Sequence, residues 1–140
     1  MKFKYRKLNL APASDFFGKF IFKPIIPICI SKLDISVRYA ALIDSGADFC
    51  IFDAELGEYL GINIRQAAEI QFGGIQSLGG AKAYIHRVNI EIGGHEFRTD
   101  VGFSYDIARH GYGILGQKGF FDLFAVNFDL AKEEIWLKPR

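Results

Sequence analysis

The chain has 140 residues, half of them apolar and 15% aromatic, with 17 Lys and Arg set against 16 Asp and Glu. A chain of this size buries roughly 68% of the surface its unfolded form exposes, so one core suffices without a disulfide or metal staple. The composition excludes a disordered polymer, and the near balance of charge excludes a field strong enough to draw in nucleic acid or an anionic membrane surface.

The basic opening, Lys2, Lys4, Arg6 and Lys7, alternates with Phe3, Tyr5 and Leu8, the spacing of a half-exposed strand rather than a phosphate-binding patch. Those charges also break any signal-peptide h-region, and no window is apolar for long enough to span a bilayer. Short runs rich in Ile, Val, Phe and Tyr, parted by Gly, Pro, Asn and Asp, then recur along the chain. They predict strands at Phe3–Leu10, Lys19–Ile30, Ile35–Ile43, Ala68–Phe72, Ala81–Ile92, His95–Phe103, Ala125–Phe128 and Glu134–Lys138. Pro24 and Pro27 predict an edge, bend or break in the second run, because proline donates no backbone hydrogen bond. Gly93-Gly94 predicts a two-residue hairpin turn. Asp53 can cap a helix over Ala54–Leu60 that Gly61 ends, and Gln117–Phe124 reads as one or two helical turns. Cys29 and Cys50 have neither zinc-binding spacing nor a disulfide framework, so a reduced, cytoplasmic location is expected.

The run Ala41-Leu42-Ile43-Asp44-Ser45-Gly46-Ala47 puts an acid, a hydroxyl and a glycine directly after a strand that should be buried. A carboxylate there is costly unless donors or a partner compensate. Ser45 can donate, Gly46 lets the chain turn sharply, and Ala47 leaves room beside the acid. Taken alone, an Asp-Ser-Gly run is more often a turn than a site.

With Asp48, this run resembles the Asp-Thr/Ser-Gly-Ala signature of the retropepsin-like aspartic proteases. Gly113-Ile114-Leu115-Gly116 resembles that family's hydrophobic-hydrophobic-Gly element. Between the two, Phe72-Gly73-Gly74-Ile75-Gln76-Ser77-Leu78-Gly79-Gly80 has the length and glycine content of the family's flap hairpin. The resemblance runs from about Lys19 to the C-terminus and implies an all-β fold: a closed β-barrel, the acid-protease fold, with one or two short helices. It also implies one protease domain over residues 1–140, with 1–18 as an N-terminal arm or dimer strand. It implies no cofactor and no metal.

In such a protease two carboxylates share one proton, so that one takes a proton from water while the other donates to the scissile carbonyl. One motif supplies half a site, so the resemblance implies a homodimer with Asp44 meeting its own copy across a two-fold axis. Two adjacent acids cannot both ionise cheaply, which implies an acidic to mildly acidic optimum. Asp44 is then the catalytic acid and Ser45 resembles the residue that locks the two loops together. Gly46 resembles the carbonyl that receives a substrate amide, and Asp48 the side chain that grips the peptide main chain. Leu42, Ala47, Ile114 and the flap from Phe72 to Gly80, Ile75 and Leu78 included, would shape pockets for an extended peptide or protein substrate bound as an added strand. The sequence departs from viral members at Ser45, at Phe49 and Cys50, and at Gln117, where those members usually carry an Arg. The rival reading is a retropepsin-like dimeric module that binds peptide or protein without cutting it.

Two weaker signals fall away. The stretch from Gly111 to Gly119 is similar to a phosphate-binding loop, but its Lys is one position late and no Ser or Thr follows. His86, His95 and His110 lack the one-turn spacing of a zinc pair.

Overall fold

The computed structural model describes residues 1–73, 80–107 and 110–140. Alternating and apolar runs become twelve strands and one short helix among these residues. Strand β1 (Lys2–Lys4) is followed by β2 (Arg6–Ser14), β3 (Gly18–Lys23), β4 (Ile25–Lys32), β5 (Ile35–Ile43) and β6 (Ile51–Asp53). Helix α1 (Ala54–Tyr59) precedes β7 (Glu69–Phe72), β8 (Ala81–Ile92), β9 (His95–Ser104), β10 (Gly113–Leu115), β11 (Phe124–Asp129) and β12 (Glu134–Pro139).

Six strands pair in the circular order β4, β5, β10, β6, β9, β8 and back to β4, while β7 hangs on the outside of β8. The ring is therefore a closed barrel, which leaves its own strands no free edge. Period-2 alternation fills it: Ile26, Ile28 and Ile30 of β4, Val88, Ile90 and Ile92 of β8, and Val101 and Phe103 of β9 all point inward and are buried. Each buried side chain of this size stabilises the fold by about 1.5–3 kcal/mol. Beneath the barrel, β1, β12 and β11 form a three-stranded sheet whose Ile135 and Leu137 extend the core with Phe120 and Phe124. The rings of Phe120 and Phe124 stack at 5.2 Å.

Ile35–Ile43 and Ala81–Ile92 are strands with the bounds read from the sequence. Pro24 breaks the second predicted run into β3 and β4, and its free carbonyl accepts a hydrogen bond from the N–H of Ile43 at 2.9 Å. Gly93 and Gly94, with φ of 56° and 83°, make the tight turn that lets Ile92 pair with His95. Asp53 caps α1 by accepting from Glu55 N–H. Gly57 is needed inside that helix because a Cβ there would lie 2.5 Å from Ile64 and 2.9 Å from Phe103.

Two expectations are revised. Phe3–Leu10 is not one strand: the chain breaks at Tyr5, and β2 runs on to Ser14 to pair with β3 as a separate hairpin. Gln117–Phe124 is a succession of turns rather than helix, because Lys118 is already committed to a bridge with Phe49 and its N–H to the Asp48 carbonyl. Strands β6 and β10, three residues each, were too short for their periodicity to mark them.

Candidate active site

Strand β5 delivers Asp44 to the end of the barrel, and β6 begins seven residues later on the far side of β10. Ile114 pairs with Leu42 on one flank and with Ile51 on the other, so the loop between must straddle the end of β10. That loop is zipped to the chain leaving β10. Asp44 N–H donates to Leu115 (3.0 Å), Gln117 N–H to Ala47 (2.8 Å), Lys118 N–H to Asp48 (2.9 Å) and Cys50 N–H to Lys118 (3.2 Å).

Within the loop, Gly46 N–H donates to Oδ1 of Asp44 at 2.9 Å. A Cβ on Gly46 would lie 3.2 Å from that oxygen, so glycine keeps the space around the acid open. Asp44 is half-buried, while Ser45, Gly46 and Asp48 are exposed. The loop thus holds a half-buried carboxylate beside an exposed serine and glycine, its backbone fixed by these bonds. Ala47, Leu42 and Ile114 line its flanks, each half-buried.

Phe72, half-buried at the end of β7, meets Phe49 edge-to-face at 5.8 Å, tying the root of the candidate flap to the Asp44 loop. Gly73 is exposed and Gly80 half-buried. Gly74, Ile75, Gln76, Ser77, Leu78 and Gly79 lie outside the described residues. Beside the loop, a cavity of about 180 Å³ is lined by Asp48, Phe49, Ile70, Ile85, Asp100 and Lys118. Apolar Phe49, Ile70 and Ile85 line it together with the charged Asp48, Asp100 and Lys118. A larger concavity, about 600 Å³, lies on Arg65, Lys82, Tyr84, Tyr105 and Asp106 and does not include Asp44. This concavity is separate from the Asp44 loop, where the carboxylate and the Gly46 N–H that donates to it lie together.

The sequence brought Asp44, Ser45, Gly46, Ala47 and Asp48 together and marked Phe49 as a departure from viral members, but did not single out Ile70, Ile85, Asp100 or Lys118. Ile70 was findable, since it shares a face with Phe72 two residues on; Ile85, Asp100 and Lys118 arrive by long-range pairing that no local pattern encodes. Gln117 was marked only as a departure from the viral pattern, yet its Nε2 donates to the Ser45 carbonyl at 2.6 Å. Cys50 is buried beneath the loop, which pushes its thiol up to about 12 and makes it inert packing rather than a nucleophile. Asp100 sits low in the carboxylate range because Arg87 donates two hydrogen bonds to it, at 2.8 and 3.0 Å. Among the described residues no group of three or more His, Cys, Asp or Glu side chains could hold a metal ion. Nor is any helix among them long and apolar enough to cross a membrane.

No family model matches the chain, and no curated protein matches it. Among solved structures it is similar to EIAV protease complexed with the inhibitor HBY-793, at 20% identity over 68% of this chain and 82% of that one, with a TM-score of 0.48. It is also similar to a retropepsin-like aspartic protease from Rickettsia conorii, at 18% identity over 98% of this chain and 92% of that one, with a TM-score of 0.55. The second likeness spans nearly the whole chain and agrees with the closed six-stranded barrel, so this protein has the retropepsin-like aspartic protease fold.

Proposed function

We propose that the chain is one half of an aspartic endopeptidase and that two copies meet at a two-fold axis beside Asp44. The observation that carries this reading is the loop itself: the half-buried Asp44 carboxylate, oriented by Gly46 N–H, in an exposed loop at the end of a closed barrel. One acid cannot act as proton acceptor and proton donor in the same step, whereas two sharing a proton can.

In the paired site one Asp44 takes a proton from water, whose oxygen attacks the scissile carbonyl carbon. The partner Asp44 gives its proton to the carbonyl oxygen. Collapse of the tetrahedral gem-diol breaks the C–N bond: the leaving amine takes a proton from one carboxyl, and one diol hydroxyl returns a proton to the other, so the dyad ends with the single proton it began with. Ser45 braces the two loops, and the Gly46 carbonyl and Asp48 hold the main chain of an extended peptide. Leu42, Ala47, Ile114 and the flap span from Phe72 to Gly80 enclose its side chains. The cavity walled by Phe49, Ile70 and Ile85 favours an apolar group with a polar end, given Asp48, Asp100 and Lys118 at its rim. Two unpaired cysteines fit a reducing, cytoplasmic setting.

The test is incubation with an unfolded-protein or peptide library between pH 4 and 7, parent beside Asp44→Asn. Cleavage by the parent alone, strongest at the acidic end, is the expected outcome. Full turnover by Asp44→Asn, or by a chain that stays a single subunit during turnover, would overturn the reading. Equal, lasting binding by both proteins without cleavage would identify a binding module instead.

A further inference from the structure

Gln117 follows Gly116, where the chain leaves β10, and makes two bonds to the Asp44 loop. Its N–H goes to the Ala47 carbonyl at 2.8 Å, and its side-chain Nε2 reaches the Ser45 carbonyl at 2.6 Å. Among the described residues no other donor is bonded to that carbonyl. The Ser45 carbonyl and the Gly46 N–H belong to one planar peptide unit, and in a trans peptide the two groups point in opposite directions. That same Gly46 N–H donates to Asp44 Oδ1 at 2.9 Å.

We propose that Gln117 is a positioning residue for Asp44: by clamping the Ser45 carbonyl at one end of the Ser45–Gly46 peptide plane, its amide aims the N–H that orients the carboxylate at the other. The inference rests on the aspartic protease reading of Asp44. A hydrogen bond to the carbonyl also polarises the peptide and strengthens its N–H as a donor. A purely structural role for the side chain is the weaker account. The backbone bonds from Gln117 to Ala47, Lys118 to Asp48 and Cys50 to Lys118 already fasten the loop, and no side-chain change removes them. The loop is exposed, so the clamp adds little to global stability, while it sets the direction of a group that must be held to a fraction of an ångström.

Three variants separate these roles. Gln117→Met keeps the length and removes the donor, Gln117→Glu turns an acceptor toward the carbonyl, and Gln117→Lys keeps a donor. For each we would measure hydrogen exchange of the Gly46 amide by NMR, kcat and KM on a peptide that the parent cleaves, and the thermal midpoint. The Met and Glu variants should lose about tenfold in kcat, equal to about 1.4 kcal/mol of barrier, with KM within about twofold. Their Gly46 amide should exchange about tenfold faster, their midpoint should stay at the parent value, and Gln117→Lys should recover most of both losses. The proposal fails if Gly46 exchange and kcat in Gln117→Met equal the parent's, or if kcat falls only as the midpoint falls. Should the parent cleave no peptide, the protease reading fails separately, and Gly46 exchange alone decides whether Gln117 aims that N–H.

Discussion

Gly116 lies where the Asp44 loop crosses the end of β10, and the crossing leaves no volume for a side chain. A Cβ there would lie 2.3 Å from the Phe49 carbonyl oxygen and 2.8 Å from that of Ala47, both backbone atoms that cannot rotate away. Gly116→Ala therefore has to push the loop off β10, straining the bonds that hold Ala47 and Asp48. We expect a loss of about 1–3 kcal/mol, read as a lower urea midpoint, together with loss of peptide cleavage. An unchanged midpoint would show that the loop yields freely and is not the rigid mount we describe. The tight turn through Asp44, Ser45 and Gly46 was legible in the sequence because residue types at adjacent positions encode it. The clamp from Gln117 was not, because it joins positions 72 residues apart and exists only once β10 lies beside β5.

At the scale of elements, β8 and β9 are the longest antiparallel pair, and Arg87 stands directly opposite Asp100 within it. The pair is bidentate but open to water, with side chains 57% and 38% exposed, so its contribution is modest and sensitive to salt. The hydrogen bonds from Arg87 hold the Asp100 carboxyl below its ordinary value. A carboxylate depressed in the folded state stabilises the fold above its unfolded value, about 3.9, and loses that contribution as pH falls through the folded value. The unfolding midpoint of Asp100→Asn should therefore lie below the parent's near neutral pH, and the gap should close as pH drops below about 4 or as salt rises. A gap that widens in acid would contradict this assignment. Hairpins such as β8–β9 were readable because alternation and Gly93-Gly94 are local signals. The short strands β6 and β10 were not, since three residues carry no period and their pairing depends on partners far along the chain. Gln117–Phe124 misled for the opposite reason: its apolar spacing suits a helix, but Lys118 pairs with the Asp44 loop instead.

For the molecule as a whole, the proposed reading makes activity a property of pairs of chains, because each chain carries one Asp44. The arm formed by β2 and β3 returns to the barrel at Pro24, whose carbonyl accepts from Ile43 N–H next to Asp44 in the chain, so this hairpin joins the barrel close to the Asp44 loop. Phe16 and Phe17 at its tip are 87% and 61% exposed and pack on each other. Subunit mixing tests the pairing without any assumption about where the second copy sits. If inactive Asp44→Asn chains exchange freely with parent chains, equal amounts of the two put half of the parent chains into mixed dimers that lack one acid. Activity should then fall to about half that of the same quantity of parent alone, and to about one tenth with a ninefold excess of the variant, at concentrations where dimers are complete. A chain competent by itself would ignore the added variant, and activity would stay constant at every ratio. Dilution supplies the matching kinetic signature: specific activity should decline once the concentration falls below the dissociation constant of the pair, and Asp44→Asn, added at that low concentration, should change its slope rather than leave it untouched.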